Sequence, residues 1–361
     1  MSHNGSIRYK PANGSNPAVK TLTVGIADPQ SGNAIGMDGF PAFTRDDSVT
    51  AFFPEPARKA VLVLGMSRSG TSLTAHVLHA LGARLPTDLM GAGHGNPLGH
   101  FEPLGLVALN NRILKSLGRP WYDPRPIPAR WFRSQAAYGF LQQIIEQIGE
   151  SYGDAPLAVI KDPRLCRLLP LYLDALDVLG IEPVVVLQVR PVAEVVQSLG
   201  DRDGMQPGLA EFLWLRSVVE AEEQSRRCRR VWVSMAGMMA DWPDTVRRIT
   251  EGLGLKWAEE RDGASGEIGL LVKPRLHHGE AADAGEPTMP ELAAAAWAAI
   301  ERGLSGDEPA ARAGFDAVRA ALLALDRTYE RYQSVLGAMP PSFWQRQSAR
   351  LQAVWRMIRR G

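Results

Sequence analysis

Cysteine is nearly missing from this chain of 361 residues: only Cys166 and Cys228 are present. They stand far apart in sequence, each beside an arginine, and so offer neither a disulfide framework nor a metal-ligating cluster. Charge of one sign is missing too, since 40 Lys and Arg face 39 Asp and Glu for a formal net charge of +1. No global pull toward nucleic acid follows, and any affinity for anions has to come from local arrangement. No apolar run approaches the ~18 residues of a membrane-spanning helix. The N-terminus has no basic segment followed by an apolar core of the kind that directs secretion. These absences predict a cytoplasmic chain in a reducing setting, with no metal and no nucleic-acid partner. Asn-Gly-Ser sequons at Asn4 and Asn13 carry no meaning there.

What the chain does have is 45% hydrophobic residues, enough for a sizeable core, with 35 glycines and 26 prolines as punctuation. Residues 1–57 are rich in Gly, Pro, Ser, Asn and Asp without an apolar period, which predicts a disordered or loosely attached arm. From there to residue 280 the pattern alternates. Apolar runs at Ala60–Leu64, Leu157–Ile160, Pro183–Val189 and Val231–Val233 read as strands. Helices are expected over Thr71–Leu81, Leu104–Leu117, Ser134–Glu150, Leu168–Leu179, Val192–Leu199 and Leu209–Arg227, several of them stopped by Gly82, Gly118 or Gly180. Strands alternating with helices predict an α/β fold, a doubly wound parallel sheet whose ligands lie at the carboxyl ends of the strands.

Residues 281–361 change texture to alanine-rich helix, a helical C-terminal extension. Phe315, Val318, Leu322, Leu325, Tyr329, Tyr332 and Leu336 recur at spacings of three and four, a seam of about three heptads. It either packs on its own domain, or in a helical hairpin, or joins two chains as a homodimer through residues 309–337. After Pro340 and Pro341, Trp344, Leu351, Val354, Trp355 and Ile358 fall on one helical face with Arg346, Arg350, Arg359 and Arg360 elsewhere. That face either covers an apolar patch of protein or rests peripherally on an anionic membrane.

The most informative stretch runs from Ala60 to Ala75: a buried strand, a loop framed by Gly65 and Gly70, then a helix start. Backbone N–H groups in such a loop converge, and the helix dipole adds positive potential, which suits a phosphate. The two glycines have the spacing of the nucleotide-hydrolase loop, but Thr71 stands where that loop requires lysine, and the cation has moved to Arg68.

Arg68-Ser69-Gly70-Thr71-Ser72 resembles the 5′-phosphate loop of sulfotransferases that use 3′-phosphoadenosine 5′-phosphosulfate (PAPS), in their carbohydrate- and protein-tyrosine-modifying branches. Three further segments extend that resemblance over roughly Ala60 to His278. Arg190, at a strand end, and Ser198, eight residues on, match the pair that contacts the donor's 3′-phosphate. Lys161-Asp162-Pro163 is similar to the element whose lysine points to the transferring group. Asn96-Pro97-Leu98-Gly99-His100-Phe101-Glu102 is similar to a stretch of a bacterial branch associated with surface polysaccharides. The resemblance implies a P-loop-like fold and in-line sulfuryl transfer from PAPS, without a metal, to a hydroxyl of a saccharide or glycoconjugate. It implies that Arg68, Ser69, Gly70, Thr71 and Ser72 hold the 5′-phosphate, Arg190 and Ser198 the 3′-phosphate, Lys161 the sulfuryl oxygens, and Glu102 the acceptor's proton, with His100 and His94 in reserve. Met235 departs from the pattern, standing where family members often carry a tyrosine near the adenine.

Two other functions fit parts of the pattern. A phosphoryl-transferring enzyme would use Asp162 to hold Mg²⁺ but lacks the loop lysine. A non-catalytic module would bind PAPS or an acidic glycan and assemble through its C-terminal helices. Aromatic residues Trp121, Tyr122, Trp131 and Phe132 either stack on an acceptor sugar or fill the core.

Overall fold

A computed structural model describes residues 58–91, 93, 99–257, 263–272 and 288–337. The arm expected over residues 1–57, His94, the Gly95–Leu98 part of the glycine-rich loop, the segment after Val272 and the helix after Pro341 lie outside the described residues.

Four strands form one parallel sheet in the order β2-β1-β3-β4: β1 Lys59–Leu64, β2 Leu157–Lys161, β3 Glu182–Val189 and β4 Arg229–Ser234. Strict alternation explains why these runs are apolar throughout. Ala60, Leu62 and Leu64 of β1, with Val185, Leu187 and Val189 of β3, enter one core, while Val61, Val63, Val184 and Val186 enter the core on the opposite face. A strand covered on both sides cannot afford polar residues, so the one polar side chain inside β3, Gln188, carries a structural meaning developed below.

Helices cover both faces. One side carries α2 Leu104–Ser116, α3 Gln135–Tyr152, α4 Leu165–Val178, α5 Val192–Asp203 and α6 Pro207–Gln224, and the other carries α1 Thr71–Ala80, α7 Met235–Ala240, α8 Trp242–Leu253 and α9 Ala264–Leu271. A 3-10 turn at Ala129–Arg133 precedes α3, whose start is fixed by Ser134, its hydroxyl accepting from Ala137 N at 3.2 Å. The expected helix from Leu168 begins a turn earlier, at Leu165. Asp162 shapes that entry by accepting from Arg164 N at 2.9 Å, while its own carbonyl accepts from Leu165 N.

The C-terminal helices α10 Pro290–Leu304 and α11 Glu308–Gly337 share the core of the strands. Trp232 of β4 stacks on Phe315 of α11 with centroids 5.5 Å apart and planes at 13°. The seam divides. Phe315, Val318 and Leu322 are buried against the chain's own core, whereas Leu325, Tyr329 and Tyr332 are exposed by 43%, 51% and 59%. The description of side chains stops short of Leu336. Among the described residues, no helix is long and apolar enough to cross a membrane.

Candidate active site

Parallel strands deliver their carboxyl ends to one edge of the sheet; the loop with Arg68 follows β1, Lys161 ends β2 and Arg190 follows β3. Past β1, Gly65 turns the chain: a Cβ there would lie 2.5 Å from the Gln188 carbonyl oxygen, so only glycine permits the loop to pass so close to β3. Gly70 ends the loop with φ of +96°, and a Cβ there would lie 2.6 Å from Met235 Sδ. The positive φ strains any other residue there, and an added Cβ would also push the Met235 side chain aside. Arg68 has φ of +75°, a conformation that costs a non-glycine residue of order 1–3 kcal/mol and persists only where surroundings enforce it.

The surroundings that enforce it are visible. Gln188, only 2% exposed, donates from Nε2 to the Ser69 carbonyl at 3.0 Å and accepts at Oε1 from Thr74 Oγ1 at 2.5 Å. The loop is thus pinned from below to β3. From the side, Arg190 donates through Nη1 to the Arg68 carbonyl at 3.1 Å, and Arg68 donates through Nε to Ser198 Oγ at 2.8 Å. Trp214 of α6 fixes the far end by donating from Nε1 to the Arg190 carbonyl at 3.1 Å. Arg68 meets Arg190 and Ser198, which lie 122 and 130 residues further along the chain, around one spot. Ser198 is buried rather than a surface helix residue, and Arg190 also forms a strand-end ion pair, Nε to Glu194 at 2.7 Å.

Glu194, Ser198 and Arg202 follow each other at four-residue steps along α5 and so share a face. Arg202 escaped the sequence reading because nothing marks it locally: its side chain pairs with the next residue, Asp203, with Nε to Oδ1 at 2.8 Å. Burial first, then the charges of Arg202 and Arg190, lower Arg68 from its ordinary value against an opposing influence from Asp203. Arg68 therefore sits in the field of two further guanidinium groups, Arg190 just before α5 and Arg202 in its last turn, an arrangement that seeks anions.

A second group lies beyond β2. Lys161, 3% exposed, spends all three of its N–H donors: on Glu102 Oε1 at 2.5 Å, the His100 carbonyl at 3.0 Å and Ser72 Oγ at 3.2 Å. The last contact ties this group directly to the phosphate-type loop. Phe101 takes φ of +56° between His100 and Glu102, which turns the His100 carbonyl and the Glu102 carboxylate toward the same ammonium. Burial raises the Glu102 carboxyl above its ordinary value, with the Lys161 charge the main opposing influence. Burial, then Lys161, Arg202 and Arg68, hold His100 below the ordinary imidazole value, so its ring is neutral at pH 7.

Asp162 is fully committed. Oδ2 accepts from Asn110 Nδ2 at 2.8 Å, and Oδ1 accepts from Arg164 N and Nη1 at 2.9 and 2.8 Å. Tyr172 completes the line by donating to Asn110 Oδ1 at 2.9 Å. A carboxylate so occupied and 1% exposed shapes its loop and is poorly placed to take a metal. Among the described residues no group of three or more His, Cys, Asp or Glu could hold a metal ion. Cys166, at the foot of the site, is buried and its thiol is pushed up to about 12 by burial, which removes it as a nucleophile. Trp121, Trp131 and Phe132 pack partly buried against the core, whereas Tyr122 is 49% exposed.

No family model matches the chain, and no curated protein sequence matches it. Among solved structures, the chain is similar to the sulfotransferase domain of the Synechococcus PCC 7002 olefin synthase, at 20% identity over 66% of this chain and 84% of that one, with a TM-score of 0.35. It is similar to sulfotransferase STF1 from Mycobacterium tuberculosis H37Rv at 14% identity, over 69% and 77%, with a TM-score of 0.36. A third match is sulfotransferase STF9 from Mycobacterium avium, at 15% identity over 62% and 70%, with a TM-score of 0.35.

Proposed function

We propose that the chain is a sulfotransferase that moves a sulfuryl group from PAPS to a hydroxyl of a saccharide or glycoconjugate. The observation that carries this is the convergence of Arg68, Arg190 and Ser198 beside a glycine-framed loop, with Lys161 and Ser72 hydrogen-bonded at the other end of the same loop. One corner is built for an isolated phosphate held by directed guanidinium and hydroxyl donors. The loop amides and the start of α1 are built for a second phosphate. A donor with phosphates on both sides of one ribose would occupy both.

Residue roles follow from chemistry. Ser69, Gly70, Thr71 and Ser72 hold the 5′-phosphate through backbone and hydroxyl donors, while Arg190, Ser198 and Arg202 hold the 3′-phosphate. Arg68 lies between the two. As the sulfur–oxygen bond to the 5′-phosphate breaks, negative charge builds on that departing oxygen, and the loop amides with Arg68 stabilise it more than they stabilise the bound donor. Lys161 has no spare N–H, so it exchanges its longest contact, Ser72 Oγ at 3.2 Å, for a sulfuryl oxygen. Glu102 accepts the proton of the acceptor hydroxyl as the new sulfur–oxygen bond forms, and its raised carboxyl makes it a better base than a surface glutamate. His100, neutral at the same edge, is the reserve base. A sulfuryl group carries less negative charge than a phosphoryl group, so cationic side chains suffice to screen the incoming nucleophile.

A phosphoryl-transferring enzyme needs Asp162 free for Mg²⁺, and the Asn110 and Arg164 hydrogen bonds to both of its oxygens weigh against that. Transfer of labelled sulfuryl from PAPS across a panel of hydroxyl-bearing glycans tests the proposal. Incorporation that needs no added metal supports it; magnesium-dependent ATP turnover with no sulfuryl incorporation overturns it.

A further inference from the structure

The segment from residue 112 to 133 is the most lopsided charge run among the described residues. Arg112, Lys115, Arg119, Arg125, Arg130 and Arg133 face a single acid, Asp123, in a chain whose overall balance is close to neutral. Among the described residues, Arg125 alone of the six forms an ion pair, through Nε to Asp123 Oδ1 at 2.9 Å. Arg112 spends one N–H on the neutral Gln143, and a guanidinium nitrogen of Arg119, Nη1, is buried with no hydrogen-bond partner. Arg112, Lys115, Arg125, Arg130 and Arg133 are exposed. A solvated face normally interleaves both signs, so a run this uncompensated holds its positive potential for something outside the chain.

Its position ties it to the proposed chemistry. Asn111, adjacent to Arg112, accepts from Arg164 Nε at 2.8 Å, and Arg164 Nη1 lies 3.9 Å from Glu102. One turn along α4, Arg167 donates to the Asp123 carbonyl at 2.6 Å and to the Arg125 carbonyl. Arg216, 4% exposed, holds the Pro124 carbonyl at 2.8 Å and is itself anchored to Asp326 of α11 at 2.7 Å. The basic segment is therefore tied at its start, beside Asn111, to the beginning of α4 that borders Glu102, and at its middle, over Asp123–Arg125, to α4 and α6. Pro120, Pro124, Pro126 and Pro128 restrict it further, which makes it a preset surface rather than a solvated tail.

We infer that this basic wall is the acceptor-docking surface and that the acceptor is an acidic polysaccharide, its carboxylate, sulfate or phosphate groups spaced along the arginines and lysine. The inference rests on the proposed function only for Glu102 as the reacting end. An anionic membrane is a poorer occupant, because Trp121, Ile127, Trp131 and Phe132 turn into the chain's own core and leave no apolar face to insert. An extended polysaccharide suits both the row of charges and Tyr122, whose exposed ring meets Trp121 edge-on at 5.8 Å and offers a face to a sugar ring.

The test is binding of an oligogalacturonate and of its carboxyl-reduced, uncharged counterpart to the full chain and to the triple variant Lys115→Glu, Arg130→Glu, Arg133→Glu. These three side chains are exposed and make no ion pair among the described residues, so the variant retains its fold, verified by circular dichroism. The charged oligomer is expected to bind at least tenfold tighter than the reduced one, and the triple variant to lose that preference while binding adenosine 3′,5′-bisphosphate as the parent does. Equal binding of the two oligomers, or an unchanged preference in the triple variant, overturns the inference. So does tighter binding of polyglutamate, an RNA oligomer or phosphatidylserine vesicles than of the oligogalacturonate. Failure of the parent to bind the bisphosphate counts against the proposed function and leaves the basic wall to be judged by the glycan arms.

Discussion

Replacing Gln188 with leucine removes the pin that joins the phosphate-type loop to β3 while keeping the side-chain volume nearly constant. Gln188, Thr74 and Ser69 are 2%, 0% and 2% exposed, so water does not replace the lost partners. The Ser69 carbonyl and the Thr74 hydroxyl are both left without Gln188, and a buried polar group stranded in this way costs about 1–3 kcal/mol. Thr74 recovers part of its share by turning its hydroxyl to the Gly70 carbonyl one turn back, an option open to threonine in helices. Leucine adds some apolar burial of its own, so the net expectation is a loss of about 2–4 kcal/mol in urea unfolding followed by circular dichroism. Adding Thr74→Val removes one stranded group along with its partner, so the double variant should be less destabilised than the sum of the singles by about 0.5–1.5 kcal/mol. Additive losses, or a Gln188→Leu loss below about 0.5 kcal/mol, would refute the claim that this side chain holds the loop.

Gly70→Ala meets a positive φ and Met235 Sδ together, so it should lower stability by at least about 1–2 kcal/mol and weaken adenosine 3′,5′-bisphosphate at least tenfold by calorimetry; wild-type affinity would contradict the close-approach geometry. Glu102→Gln should bind the bisphosphate as the parent does while losing turnover, and undiminished turnover removes Glu102 as the base. The pH dependence has a defined sign. A base must be ionised, and burial holds the Glu102 carboxyl above its ordinary value, so turnover should climb with rising pH through a midpoint above that of an ordinary glutamate. A midpoint at or below it contradicts the buried, raised carboxyl.

The grouping of Arg68 with Arg190 was legible because local signals mark each of them. A glycine pair framing an arginine after an apolar strand, and an arginine ending the next strand, are read from a few neighbouring residues. Contacts that depend on distant partners were not legible: Gln188 to Ser69 spans 119 residues and Tyr172 to Asn110 spans 62. Even so, each left a trace. Gln188 interrupts the apolar run from Pro183 to Val189, and Asn110 falls on the buried helical stripe with Leu106 and Ile113. Arg202 left none, since a charged residue near a helix end is ordinary until the partner surface is known. The heptad seam was visible as a pattern, but which half would be covered depends on where β4 places Trp232, which no local pattern encodes.

Calorimetric titration with adenosine 3′,5′-bisphosphate, adenosine 5′-monophosphate and adenosine 3′-monophosphate tests the central claim most directly. If Arg68, Arg190 and Ser198 meet to grip one doubly phosphorylated nucleoside, the bisphosphate should bind at least tenfold tighter than either monophosphate, and Arg190→Ala should bring its affinity down to that of the 5′-monophosphate. Equal affinity for all three, or an Arg190→Ala variant that still prefers the bisphosphate by the full margin, would contradict it.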